Sequence, residues 1–508
     1  MLGRSLVLMA VLVIPVQLFA ADGPKTSLPA DGIAANLPAL KVKGDLLVAD
    51  GQPIRLRGIN WGWWHLSGTR YSEADMQKLA QWGANTVRLA FSYNDLETDD
   101  HPPAWKEDGF KDLDEVTQWG KRYGIRVILD MHVVPGGQST AHYCAGGHNL
   151  LWTDNFSQDR FVALWSEIAR RYHGRTEVAA YELMNEPGSN QKTSKLLRSI
   201  DQRAMVAIRA VDPDKIIVVG GDNGSGPGDL TETMKFPDDN ILYTFHWYVG
   251  AGGNEDWIST ERQAGIAGTH DWMKIEKTFM APPGADHMSV LLRSRDNPGS
   301  VWFDDAVVED ASGKILQSDS FDKDPQDYHL EVSQDAATFD PSTGHDKSGS
   351  LEMHGTNGLN SWAGWAGKRV SIEPGQQYHV SVWVKLDHAT GDTYLGAMFS
   401  RINTQIDRDL FQERIVPAVN FARKFKVPVW VGEFGCDASN KDDQIRWVNT
   451  SMAFFEKNDF SWTYWNDKST DSPDGMGLQT EHKDGSDYPV NERLLAALRA
   501  GWALKSQR

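Results

Sequence analysis

The sequence predicts an α/β chain, a (β/α)8 barrel interrupted after its sixth strand by an inserted, jelly-roll-like β-sandwich. Three observations predict it. Eight short apolar runs alternate with stretches of helical periodicity over most of the 508 residues. One interval, residues 274–405, instead holds only short alternating runs punctuated by Gly, Pro, Asp and Asn. Polar residues with chemistry collect just after the apolar runs, at the strand ends where such barrels build their sites.

The N-terminal residues read as an export signal. Residues 5–19 carry no charge, Arg4 precedes them, and Ala20-Ala21 offers small residues for cleavage, so residues 1–21 read as a signal peptide. The run is too short to favour a stable membrane span, and the expected location is secreted or periplasmic. Residues 22–44, rich in Pro, Ala and Gly, read as a leader. An extended pair follows around Leu46-Leu47-Val48 and Ile54-Arg55-Leu56-Arg57, turned by Asp50-Gly51.

The barrel occupies residues 45–273 and 406–508. Its strands are expected at Gly58-Ile59-Asn60 and at 86–89, 126–131, 179–183, 215–219, 241–245, 427–431 and 460–464. Ser72 and Asp75 have capping-box spacing for a helix that stops near Gly83. Phe110, Leu113, Val116, Trp119 and Tyr123 recur at helical spacing before Gly124, and Phe161, Leu164, Trp165, Ile168 and Tyr172 repeat the pattern within 157–173. The helix owed to the sixth strand resumes only at about 406–425, with a kink expected at Pro417. The insert's short runs fall at 289–292, 300–303, 350–353, 369–372, 379–384 and 393–399.

Composition narrows the function. A net charge of −18 argues against nucleic acid, anionic lipid or polyanionic sugars as partners and leaves neutral polymers open. Twenty Trp against two Cys means many flat aromatic faces and little disulfide scaffolding. Cys144 and Cys436 both fall in loops on the catalytic face, and export permits a bond between them. His142, Cys144 and His148 lack any standard metal spacing and read as loop residues.

The strand ends hold Asn60 with Trp61, Arg88, Asp130 with His132, Asn185 with Glu186, His246 with Tyr248, Glu433, and Trp465 with Asn466. Glu186 and Glu433 close strands four and seven. Two carboxyl groups among Trp and Asn are what glycoside hydrolysis needs: one protonated to assist the leaving oxygen, one ionised to attack the sugar carbon.

Seven segments in register with the strands resemble glycoside hydrolase family 5 and its wider clan. They are Leu56-Arg57-Gly58-Ile59-Asn60, Asn85-Thr86-Val87-Arg88, Asp130-Met131-His132, Asn185-Glu186-Pro187, Phe245-His246-Trp247-Tyr248, Val431-Gly432-Glu433-Phe434-Gly435 and Trp462-Thr463-Tyr464-Trp465. The resemblance implies a retaining mechanism with Glu433 as nucleophile and Glu186 as acid, then base. It implies Asn185 on the sugar 2-OH, Arg88 orienting the nucleophile, and His132 and His246 as partners of the carboxylates and sugar. Tyr248 is implied as the phenol near the nucleophile, and Trp465, rather than Trp462, as the stacking floor. Trp61, Trp63, Trp64 and Trp152 line further subsites or pack their loops.

The insert resembles a carbohydrate-binding module of family 4/9, through Gly299-Ser300-Val301-Trp302-Phe303-Asp304-Asp305, Ser318-Asp319-Ser320-Phe321-Asp322, Ser348-Gly349-Ser350-Leu351 and Pro374-Gly375-Gln376-Gln377-Tyr378. The closing motif precedes the opening one, as in a permuted or split sandwich. Trp362 and Trp365 are its stacking candidates, with core packing as the other reading. That resemblance implies a structural calcium, for which the sequence offers no readable ligand set; no cofactor is required for catalysis.

The expected activity is exported, retaining cleavage of a neutral β-linked polysaccharide or oligosaccharide, β-1,4-glucan such as cellulose or cello-oligosaccharides first. β-Mannan and β-1,3- or mixed-linkage glucan are rival substrates, since loops rather than fold set the choice. A non-catalytic polysaccharide-binding or adhesion protein is the alternative of another class.

Overall fold

The computed structural model describes residues 37–62, 71–139, 149–188, 194–248, 255–295, 297–323, 328–332, 337–346, 349–355, 362–402, 408–436, 441–469, 476–480 and 489–504. Eight parallel strands close a barrel: Arg57–Trp61, Thr86–Ser92, Arg126–Val133, Val178–Glu182, Ile216–Val219, Ile241–Trp247, Val429–Phe434 and Ser461–Tyr464. All eight coincide with runs expected from the sequence. The first strand pairs with both the second and the eighth, and an antiparallel sheet domain fills the interval after the sixth.

Strand periodicity sorts the barrel's side chains into two populations. Val127, Leu129, Met131, Tyr181, Tyr243 and Phe245 belong to the apolar cluster shared with helix residues such as Phe110, Phe161 and Trp165. Their neighbours Ile128, Ala180, Val218, Leu242 and Trp430 form a separate cluster inside the barrel. Further along the same inward faces stand Asp130, Glu182, Thr244 and His246. The barrel is therefore apolar toward its floor and polar toward its mouth.

A small sheet of Leu40–Lys43, Leu46–Ala49 and Gln52–Ile54 supports that floor, with Leu40 and Leu47 in the interior cluster. Asp50 (φ 49°) and Gly51 (φ 74°) make its second turn in the left-handed region. Leu40–Lys43 falls within the segment read as leader; its apolar residues are recruited by the barrel floor.

The helices start and stop where the sequence indicates. Ser72 and Asp75 form both halves of a capping box for Glu73–Trp82, which ends at Gly83 (φ 106°). Glu107–Tyr123 ends at Gly124 and buries Phe110, Leu113 and Val116. Asn155–Tyr172 is capped by Asp154, and Arg408–Phe425 carries Pro417 inside it.

The inserted sheet begins earlier than residue 274. Glu255–Arg262 and Ile266–Met280 both pair with a single long strand, Gln377–Ile402, which merges two runs expected as separate. Residues 267–271 are all exposed, so they carry no alternation to betray a strand. The long strand pairs with Ile266–Met280 and Ser300–Asp310 through its first half, and with Glu255–Arg262 and His287–Arg295 through its second. His388 (φ 52°) lies between the halves, and both feed one core containing Val380, Val382, Val384, Leu395, Ala397 and Phe399. Trp365 is part of that core and only 6% exposed, so of its two readings the structure bears out core packing. The Trp362 side chain lies outside the described residues.

Gly58 lets strands one and two approach: a Cβ there would fall 1.8 Å from the Thr86 carbonyl oxygen. Gly58→Ala is expected to cost about 1–3 kcal/mol of stability through forced backbone shifts. Thermal unfolding measures this, and an unchanged melting temperature would contradict the close approach.

Candidate active site

The polar mouth of the barrel converges on Arg88, which is fully buried. Its Nε and Nη2 donate to the two oxygens of Glu182 at 2.6 and 3.0 Å, and Nη2 also reaches Asn185 Oδ1 at 2.9 Å. Its Nη1 donates to Glu433 Oε1 at 2.6 Å and to Asn60 Oδ1 at 3.1 Å. Asp130 Oδ2 stands 3.1 Å from Nη2. Burial works against this cation, but Asp130, Glu182 and Glu433 together raise its pKa well above the ordinary arginine value. Burial pushes Asp130 and Glu182 up to about 7 each, against the pull of Arg88.

Glu433, at the end of strand seven, accepts a second hydrogen bond from Tyr248 Oη at 2.7 Å on its other oxygen. Burial and the nearby Glu433 hold that phenol well above its ordinary pKa, so it remains a donor. His246 Nδ1 lies 2.6 Å from Glu186 Oε1 and 3.6 Å from Glu433 Oε2, bridging the two carboxylates. Burial lowers the His246 pKa, but Glu433 and Glu186 outweigh it and leave the ring above its ordinary value. Glu186 is the more open of the two acids, and it sits in the left-handed region at φ 36° immediately before Pro187. A non-glycine residue there carries local backbone strain of about 1–3 kcal/mol, a cost found most often at functional sites.

Asn185 is held from both sides. Its Oδ1 accepts from Arg88, and its Nδ2 lies 3.2 Å from His132 Nε2. His132 Nδ1 in turn bonds Asp130 Oδ2 at 2.7 Å. This chain fixes the His132 proton on Nδ1 and leaves the second Nδ2 hydrogen of Asn185 for a ligand. Trp465 stacks beside His132, with ring centroids 5.5 Å apart and planes 17° from parallel.

The residues expected at the site thus come together, apart from Trp61. Arg88 has no surface to offer a sugar; it acts on Glu433 and Asn185 from beneath. Trp61 is corrected outright, being fully buried, stacked on Tyr71 at 4.4 Å and donating its indole N–H to Asp467. Trp152 is likewise buried, bonded to the Gln138 carbonyl. Trp63, Trp64 and Cys144 lie outside the described residues, and Cys436 is buried. Glu182 was not singled out in the sequence; an acid inside the wholly buried strand Val178–Glu182 is the signal that marks it.

Among the described residues, Glu186, His246 and Glu433 form the group whose potential metal-ligand atoms all lie within 4.8 Å of one another. His246 Nδ1 already serves Glu186, so the arrangement reads first as a proton-handling pair of acids. Among the described residues of the inserted sheet no comparable trio of His, Cys, Asp or Glu side chains is found.

Two carboxylates at the mouth of a (β/α)8 barrel, one hydrogen-bonded by arginine and tyrosine and one by histidine, define the class of barrel glycoside hydrolases. Residues 47–281 match the cellulase family, glycosyl hydrolase family 5. Endoglucanase C of Acetivibrio thermocellus is 33% identical over 204 residues, 38% of this chain and 57% of that protein. Cellodextrinase A of Ruminococcus flavefaciens is 31% identical over 225 residues, 41% of this chain and 64% of that protein. The chain therefore spans less than two thirds of the length of these curated relatives. A crystal structure of a glycoside hydrolase shares the fold at TM-score 0.50 and 16% identity, covering 88% of this chain and 99% of that one. No helix among the described residues is long and apolar enough to cross a membrane.

The His132 geometry makes a pH prediction. Burial takes its pKa down to about 4, so the ring is neutral at working pH. Because the folded value lies below the ordinary 6.5, neutral His132 contributes stability that is present above pH 6.5 and lost as pH falls through about 4. Ring nitrogen-15 spectra, assigned against His132→Asn, are expected to show a protonated Nδ1 and bare Nε2 at pH 6. A doubly protonated ring at that pH would contradict the chain.

Proposed function

We propose that this protein is an exported, retaining β-glycanase that cleaves β-1,4-glucan chains, with Glu433 as nucleophile and Glu186 as acid/base. The observation that carries the mechanism is the carboxylate separation: an oxygen of Glu186 and an oxygen of Glu433 lie within 4.8 Å. Retaining enzymes hold their carboxyl groups roughly 5–5.5 Å apart, whereas inverting ones leave roughly 6.5–9.5 Å for a water.

In the first step Glu433 attacks the anomeric carbon, and Glu186 gives its proton to the departing glycosidic oxygen. Arg88 and Tyr248 orient the two Glu433 oxygens, and His246 holds Glu186. Glu186 then takes a proton from water, which displaces Glu433 and restores the original configuration. Asn185, locked by Arg88 and His132, is placed to bond the sugar 2-OH, and Trp465 to stack on the ring beside it.

Relatives named endoglucanase and cellodextrinase support a β-1,4-glucan over β-mannan or β-1,3-glucan. The charge-free run at 5–19 supports export. We read the inserted sheet as a sugar-binding module walling one end of the cleft, its position in the sixth loop being the support.

Two variants test the chemistry. Glu433→Ala is expected to release no product from cellulose derivatives, barley glucan, laminarin or mannan, while the wild type cuts at least one of the first two. Glu186→Ala is expected to lose about 10²–10⁴-fold on natural substrates. It should keep fast cleavage of an activated aryl cellobioside and, with azide, form a β-glycosyl azide. Full activity in Glu433→Ala, or an α-azide from Glu186→Ala, would overturn the assignments.

A further inference from the structure

We infer that Glu182 is a positioning residue for catalysis: it grips the Arg88 guanidinium at two points and so aims Nη1 at Glu433. The inference rests on the reading of Glu433 as nucleophile.

Arg88 leaves strand two and must reach a carboxylate on strand seven, across the barrel interior. A free arginine side chain would sample many rotamers over that distance. Here the guanidinium is held edge-on by Glu182, with Nε to Oε2 at 2.6 Å and Nη2 to Oε1 at 3.0 Å, the two-point geometry that fixes a planar fork in orientation as well as place. Once that edge is fixed, the opposite nitrogen has one direction left. Nη1 meets Glu433 Oε1 at 2.6 Å and Asn60 Oδ1 at 3.1 Å.

The same grip sets Asn185, because the second Nη2 hydrogen faces Asn185 Oδ1. Glu182 thus acts at one remove on both the nucleophile and the amide next to the acid. It touches neither end of the cleft, being 1% exposed beneath Arg88. Asp130 does not duplicate the grip. Its Oδ2 stands 3.1 Å from Nη2 and accepts from His132 Nδ1 at 2.7 Å. Burial of three carboxylates around one guanidinium also makes the arrangement costly, and Glu182 at about 7 is near its limit of ionisation. Removing Glu182 alone would strand the Arg88 Nε and Nη2 donors in a closed space, so the test substitutions keep a polar group at that position.

A glutamine at 182 has the same shape but one acceptor oxygen, and its amide hydrogens would oppose an Arg88 N–H. Glu182→Gln, Glu182→Asp, Arg88→Lys and the two double variants are compared by kcat and KM on a soluble cello-oligosaccharide, with folding followed by circular dichroism. Glu182→Gln is expected to lower kcat by about ten- to a hundredfold, as expected for small misplacement of a reacting group, with KM changed less than about twofold. In the Arg88→Lys background, where the two-point contact is gone, the same substitution is expected to change kcat less than about twofold. If Glu182→Gln does not fold, Glu182→Asp carries the test on the same criteria. Wild-type kcat in a folded Glu182 variant, or losses that multiply fully with Arg88→Lys, would overturn the inference. An inactive wild type would instead remove the reading of Glu433 on which it rests.

Discussion

One buried guanidinium organises this barrel. Arg88 lies between three carboxylates from three other strands, and each of its nitrogens has an assigned acceptor. A lone cation in so closed a space would be prohibitively unstable, and so would any one of the carboxylates without it. Strands two, three, four and seven are therefore locked in relative position by charge as well as by their ladder hydrogen bonds. The proposed chemistry follows from that lock, because Glu433 on strand seven is held by the same cation that is held by strands three and four.

The rest of the molecule makes this polar centre affordable in structural terms by keeping it at one end. Ile128, Ala180, Val218, Leu242 and Trp430 fill the barrel below it, and Leu40 and Leu47 close the floor from a short N-terminal sheet. Water is excluded from below, so the hydrogen bonds of Arg88, His132 and Asn185 run in a low-dielectric setting where their orientation is well defined. The open side is the mouth, where Glu186 retains some exposure. Reactivity is thereby confined to the face on which the sixth loop carries its inserted sheet.

Much of this was legible in the sequence, and the failures are instructive. The eight strands could be read because parallel barrel strands are buried on both faces and appear as compact apolar runs. Glu186 and Glu433 could be read because each stands close to the end of such a run. The start of the insert could not, since 267–271 are exposed and carry no apolar alternation. Trp61 was misplaced, and Trp365 left open between two readings, for a common reason: a tryptophan in a loop motif has the same letter whether it faces a cleft or a core. Their indoles are decided by tertiary neighbours, Tyr71 and Asp467 for one and the sheet core for the other. Glu182 was passed over because its importance lies in a contact with a residue 94 positions earlier, which no local pattern encodes.

The central claim is that the two carboxylates are spaced and oriented for double displacement. Proton NMR during the first minutes of hydrolysis of a reduced-end-blocked cello-oligosaccharide tests it most directly, by following the anomeric signal of the newly released reducing end. The account predicts that the β-anomer appears first and the α-anomer only later, by mutarotation. First appearance of the α-anomer would mean inversion and would contradict the reading of Glu433 as a nucleophile.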